Sequence, residues 1–180
     1  MSDRTAKEAL GQRRRRRGSL NRADIVTAAE ELIERDGLES LTMPGLAREM
    51  DAAVTSIYWH FHTKDELLRT VAERVTEKLF DGLPPILAGR PWDEELLIYC
   101  SSFRKALLRS RAFLELFATH AQALFAEDRI GEIVTARLEQ EVAAVASAGL
   151  DPLAALRVYN ACSTYVRGFV TLEVGFEDEG

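Results

Sequence analysis

Between Thr42 and Phe61 the chain carries two apolar helical patterns, each short, separated only by Asp51-Ala52-Ala53. Leu46, Ala47 and Met50 mark the first. The second runs from about Val54 to Phe61, with Ile57 and Phe61 one turn apart. Helices shorter than about 12 residues are marginal in water on their own. Two such segments persist only if longer neighbours share an apolar surface with them. The chain is therefore expected to fold around this turn, with Ile57 and Phe61 packed against helices on either side.

Both neighbours are legible. Asn21 reads as an N-cap with Asp24 three positions on. Ile25, Ala28, Ala29, Leu32 and Ile33 then recur at helical spacing until Gly37 stops the helix. Thr42 caps the first short helix and Pro44 is tolerated in its first turn. His62-Thr63 breaks the second, and Thr63 caps a longer helix with Glu66 at the capping-box position. Leu67, Leu68, Val71, Val75 and Leu79 form its buried stripe. Gly82, Pro84, Pro85, Gly89 and Pro91 mark a boundary. Beyond it the pattern predicts helices from Trp92 to about Ser110, Ala112 to about Leu124, Ile130 to Ala148 and Pro152 to about Gly175. Gly149-Leu150-Asp151-Pro152 is a stop and restart. Nothing alternates with period two over a useful length. The expectation is an all-α chain: a disordered basic arm over 1–19, a three-helix helix-turn-helix head over 20–81, and a helical bundle over 91–180.

Apolar residues make up 47% and charged residues 29%, the proportions of a soluble globular protein. No apolar run approaches the ~20 residues that span a bilayer, and the N-terminus lacks the apolar core of a secretory signal. A cytoplasmic location without membrane contact is expected. The net charge is −6, yet Arg13 to Arg17 form an unbroken basic run, with Arg22 following. The acids concentrate later, at Glu127, Asp128, Glu132, Glu139 and Glu141, and again from Glu173 to Glu179. A basic arm on an acidic body suits a chain that touches a polyanion at one end. Cys100 and Cys162 match no metal spacing and read either as small buried hydrophobes or as a redox pair. There is no nucleophile–base pair, no metal-ligand spacing and no glycine-rich phosphate loop. His60, His62 and His120 form no ligand set. The expectation is no enzyme, no metal and no cofactor.

With Ile57 and Phe61 turned inward, Val54, Thr55, Ser56, Tyr58, Trp59 and His60 remain on the other faces of the second short helix. A major groove about 12 Å wide accepts one such helix. The hydroxyls of Thr55, Ser56 and Tyr58 can bond phosphates or base edges, and the Thr55 methyl, Ala52 and Ala53 can pack on thymine methyls. Thr42 and Lys64 flank the helix, where phosphates also find free backbone N–H groups. On the residues alone, Tyr58 and Trp59 fit equally the core of a plain helical bundle.

The stretches Gly37-Leu38-Glu39-Ser40-Leu41-Thr42, Leu46-Ala47, Ser56-Ile57-Tyr58-Trp59-His60-Phe61 and Lys64-Asp65-Glu66-Leu67-Leu68 resemble the N-terminal domain of the TetR (tetracycline repressor) family. The resemblance covers roughly Leu20 to Phe80. It implies that Thr42, Val54, Thr55, Ser56, Tyr58, Trp59, His60 and Lys64 contact double-stranded DNA, Tyr58 and Lys64 chiefly through phosphate. Pro44 departs from the family, which often has a basic or polar residue there. Arg16 and Arg17 are candidate further contacts, either in an A·T-rich minor groove or as part of a solvated tail.

Ser102 to Arg111 resembles the matching helix of tetracycline repressors, and Gly168 to Glu173 does so more weakly. By that resemblance Phe80, Tyr99 and Phe117 stand where those repressors hold their magnesium–drug complex with polar groups, and Phe103 matches a drug-contacting aromatic. A different effector is expected, small and hydrophobic or aromatic, in a pocket of the bundle. Its candidate residues are Tyr99, Phe103, Arg104, Leu107, Phe113, Phe117, His120, Tyr165 and Phe169, although each apolar member equally suits a plain core. The last two long helices are expected to form a two-fold homodimer that reads a palindromic operator. The function expected is a ligand-released transcriptional repressor. The competing expectation is a helical protein–protein adaptor that binds no DNA.

Overall fold

The structure, a computed structural model, describes residues 20–84, 90–116, 129–147 and 149–178, with side chains described as far as residue 175. Among the described residues the regular elements are helices, with no β-strand. The chain divides into two compact units between Val71 and Ala72.

In the first unit, α1 spans Arg22–Asp36. Asn21 Oδ1 accepts the Asp24 N–H at 2.8 Å, closing the first turn. Gly37, at φ 84°, donates its N–H to Ile33 O and ends the helix. The buried stripe is Ile25, Val26, Ala29, Leu32 and Ile33. A 3₁₀ turn, Leu38–Ser40, leads into α2, Met43–Glu49. Thr42 Oγ1 caps α2 by accepting the Gly45 N–H at 3.0 Å. A Cβ at position 45 would lie 2.7 Å from that oxygen, so the cap requires glycine there.

The turn out of α2 is a Schellman motif. Asp51 adopts φ 50°, its N–H reaches Arg48 O at 3.2 Å, and the Ala52 N–H reaches Ala47 O at 2.9 Å. An aspartate tolerates this left-handed conformation better than most residues. Next comes α3, Val54–His60, which has no side-chain cap. Its anchors are Ile57 and Phe61, both 0% exposed. Burying a side chain of this size stabilises by about 1.5–3 kcal/mol, which a helix of this length cannot obtain from its own hydrogen bonds. Thr63 Oγ1 accepts the Glu66 N–H at 3.0 Å and opens α4, Lys64–Asp81. That helix runs unbroken through the division between the units.

The second unit contains the end of α4, then α5, Trp92–Leu107, a helical stretch at 111–116, α6, Arg129–Ser147, and α7, Pro152–Asp178. Both α5 and α6 pack on α7. The core joins Leu96, Tyr99, Phe103, Leu107, Phe113, Leu116, Val145, Tyr159, Val166 and Val170. Two helix ends differ from the periodicity reading. α5 stops at Leu107, because the Ser110 hydroxyl accepts the Phe113 N–H at 3.2 Å and starts a new helix. α7 continues past Gly175 to Asp178. Asp151 caps α7 by accepting the N–H groups of Leu153 and Ala154 at 3.1 and 3.0 Å. The arm with Arg16 and Arg17, the Pro85–Gly89 stretch, and Phe117 through Leu124 lie outside the described residues.

Candidate functional site

α3 presents a polar and aromatic surface on an apolar root. Trp59 is 78% exposed and Tyr58 44%, while Ile57 between them and the core is fully enclosed. Thr55 is exposed, and Val54, Ser56 and His60 are half-buried. The His60 ring stands edge-on to Trp59, with centroids 4.8 Å apart. Thr42 and Pro44 are exposed at the start of α2, and Lys64 is half-buried as the first residue of α4. The Thr42 oxygen is engaged as an acceptor by the helix cap, which leaves its O–H proton free to donate outward. Thr42, the α3 residues and Lys64 all belong to the first unit.

The end of α3 is fixed by Arg22, which the charge pattern groups with the basic arm. Its guanidinium lies 4.0 Å above the Phe61 ring. Nη1 donates to His60 O at 2.8 Å and to Glu66 Oε1 at 3.0 Å, and Nη2 to Thr70 Oγ1 at 3.3 Å. Arg22 thus ties the start of α1 to the end of α3 and the first turns of α4. Glu66 completes the brace by accepting the His62 N–H at 2.9 Å. That bond first, and Arg22 second, hold its carboxyl below the ordinary carboxylate range.

In the second unit the candidate effector residues fall into separate groups. Tyr99, Phe103, Leu107 and Phe113 are buried. The Tyr99 ring stacks on Phe103 at 5.8 Å, and its hydroxyl meets that of Tyr159 at 2.7 Å. Burial, then the Tyr159 and Glu141 charges, push the Tyr99 hydroxyl pKa well above its usual value. Arg104 is held in an ion pair, with Nη2 2.7 Å from both Glu173 oxygens. Tyr165 and Phe169 are 71% and 49% exposed and stack on one another along α7. Phe117 and His120 lie outside the described residues.

An open apolar groove of about 750 Å³ runs between α5 and α7, and among the described candidates Tyr165 alone lines it. Its other walls include Trp92, Leu96, Leu97, Val158 and Val166. Cys100 and Cys162 are free thiols on the same groove. Burial, then Cys162, push the Cys100 thiol pKa up to about 11. Among the described residues no group of three or more His, Cys, Asp or Glu side chains forms a metal site, and no helix is long and apolar enough to cross a membrane.

A capped two-helix turn on a braced helical head, followed by a separate helical bundle, defines a helix-turn-helix regulator. Residues 25–71 match the model of the bacterial regulatory proteins of the tetR family, and residues 84–180 match the tetracyclin repressor-like C-terminal domain. The chain belongs to the TetR family of transcriptional regulators, which are not enzymes. It is 35% identical over 162 residues to an HTH-type transcriptional repressor of Mycobacterium tuberculosis, covering 90% of this chain. It spans 60% of that relative's length. A Tetr-family transcriptional regulator from Streptomyces coelicolor superposes with TM-score 0.72 at 25% identity, covering 89% of this chain and 87% of the other. BioQ bound to its double-stranded DNA operator superposes with TM-score 0.65 at 28% identity, covering 89% of each.

Proposed function

We propose that the chain is a sequence-specific DNA-binding repressor that reads a palindromic operator as a homodimer and is released by a small hydrophobic or aromatic effector. The carrying observation is the exposure of Trp59 and Tyr58 on a helix whose only anchors are Ile57 and Phe61. Large exposed aromatics on so short a helix suit a partner surface, and the operator complex of BioQ supports duplex DNA as that partner. In this reading residues 20–81 are the DNA-binding head. Val54, Thr55, Ser56, Trp59 and His60 enter the major groove, while Thr42, Tyr58 and Lys64 contact phosphates. Arg16 and Arg17 add phosphate contacts from the arm over 1–19. Residues 91–180 are the effector and dimer body, and the protein works in the cytoplasm.

The dimer reading is supported by α7. Tyr165, Phe169 and Leu172 are exposed at helical spacing on one side of it, and such a patch is costly in a monomer. The effector reading is supported by the match to the tetracyclin repressor-like domain. An effector releases DNA only by binding the released state better.

Selection from random duplexes with the purified chain tests this reading. A two-fold consensus with half-sites about one helical turn apart is the expected result. Absence of any enriched sequence overturns it and leaves the protein–protein adaptor as the explanation of the exposed aromatics.

A further inference from the structure

Two free thiols lie on the wall of the α5–α7 groove. Their placement follows from helix spacing. Leu96 and Cys100 are one turn apart on α5, and Val158, Cys162 and Val166 follow one another by single turns on α7. All five line the groove, so each cysteine belongs to the stripe of its helix that borders the groove. The register of the two stripes is set beside them. Tyr99, next to Cys100, meets Tyr159, one turn before Cys162, with ring centroids 5.4 Å apart and hydroxyls 2.7 Å apart. The two sulfurs consequently meet across the helix pair, and Cys162 acts on the Cys100 thiol both by charge and by hydrogen bonding.

A cysteine kept only as a small hydrophobe sits sealed in the core, where free cysteines are usually found. Cys100 and Cys162 are instead half-buried, and the groove opens beside them. The walls next to them, Leu96, Val158, Tyr165 and Val166, are apolar or aromatic. Such a groove admits an uncharged reagent more readily than an ion, which would leave its hydration behind. Paired thiols in contact, reachable from outside, are the arrangement that thiol–disulfide exchange requires.

We propose that Cys100 and Cys162 form a redox site, closed to a disulfide between α5 and α7 by small uncharged disulfides that enter the groove. One cysteine thiolate attacks a sulfur of the reagent R–S–S–R, forming a mixed disulfide and expelling one R–S⁻. The other cysteine thiolate attacks the protein sulfur of that mixed disulfide and expels the second R–S⁻. The two protons given up by the cysteines end on the two released thiols, R–SH. The protein pair is oxidised by two electrons and the reagent is reduced by two. Burial first, then Cys162 and Glu141, hold Cys100 as the neutral thiol at pH 7, with a pKa of about 11. The exchange is therefore slow at neutral pH and quickens as pH rises. The bridge fixes α5 against α7, and with them the width of the groove.

The test treats the full chain at about pH 8.5, where an ordinary thiol is half ionised. The reagent is one equivalent of dipyridyl disulfide, an uncharged aromatic disulfide whose released thiopyridone is read by absorbance. Closure releases two thiopyridones per reagent and leaves a chain lighter by two hydrogens, with no adduct. Cys100→Ser and Cys162→Ser cannot close, and each is expected to release one thiopyridone and keep the adduct. The ratio in the parent chain decides the matter even if a variant does not fold. One thiopyridone per reagent with the adduct retained, a covalent dimer of chains, or no release overturns the site. The fit of the bridge to the fold is read from its equilibrium with reduced and oxidised glutathione. The effective concentration of the pair is expected to be at least about tenfold higher in the folded chain than in concentrated guanidinium chloride, where loop closure alone brings the thiols together. An equal or lower value in the folded chain overturns the proposal.

Discussion

The Arg22 guanidinium sits 4.0 Å above the ring of Phe61, although the two residues belong to different helical segments. The contact places a cation on the residue that ends α3, and the same side chain holds the His60 carbonyl. Replacing Arg22 by Ala removes the ring contact and three hydrogen bonds at once. A loss of about 1 kcal/mol in stability is expected from a half-exposed site of this kind. Operator affinity should fall further than stability does, because the end of α3 is no longer fixed. Arg22→Lys keeps the charge but cannot reach His60, Glu66 and Thr70 together, so it should recover only part of the loss. Denaturant titration and duplex binding at one salt concentration check both.

Glu66 gives the head an acid limb. Its carboxyl is stabilised in the ionised form by the His62 N–H and then by Arg22, so its folded-state pKa lies below the ordinary 4.5. A group of this kind contributes stability above its unfolded pKa and loses it as pH falls through the lower folded value. Glu66→Gln should therefore be less stable than the parent at pH 7. The gap should narrow below about pH 4.5 and close at lower pH. Parallel urea titrations from pH 7 to pH 3 measure it. A gap that does not depend on pH contradicts the account.

Position along α3 separates folding from binding. Ile57 is 0% exposed, and Ile57→Ala should cost about 2–5 kcal/mol of stability. Tyr58 and Trp59 are exposed, and their alanine variants should stay within about 0.5 kcal/mol of the parent. Under the proposed function they should nevertheless lower operator affinity at least about tenfold, roughly 1.4 kcal/mol. Thermal unfolding and a binding isotherm on the same samples give both quantities.

Gly45 tests the cap on α2. A methyl there falls 2.7 Å from Thr42 Oγ1, so Gly45→Ala must displace the hydroxyl that closes the helix. Alanine's better helix propensity offers up to about 1 kcal/mol, and losing a threonine cap costs about 0.5–2 kcal/mol. Little net change in stability is expected. Affinity for DNA should still fall, because the Thr42 O–H loses its orientation. A Gly45→Ala protein with undiminished affinity would show that Thr42 does not contact phosphate.

What could be read from the sequence follows the range of each interaction. The caps at Asn21, Thr42, Thr63 and Asp151 involve partners two or three residues away, and each is visible as a residue type at a fixed offset. The all-helical class was legible for the same reason, since periodicity is local. Arg22 was not legible as a brace, because its hydrogen-bond partners lie 38, 44 and 48 positions on, and no offset rule reaches that far. A run of arginines before it suggested the opposite destination for its charge. The meeting of Tyr99 with Tyr159, 60 positions apart, and of Arg104 with Glu173, 69 apart, were hidden likewise. Ser110 shows a finer limit. The sequence pattern places the break between Ser110 and Ala112, and the bond of the serine hydroxyl to the Phe113 N–H shows why the preceding helix already ends at Leu107.

The placement of Trp59 has one more consequence. The chain has two tryptophans, Trp59 on the exposed side of α3 and Trp92 beside the α5–α7 groove. Each compact unit therefore contains its own intrinsic fluorophore. With Trp92 replaced by Phe, the remaining emission comes from the α3 surface alone, with an imidazole ring against it as a built-in quencher. The protein can then report optically, without any label, whether that surface is bare or covered.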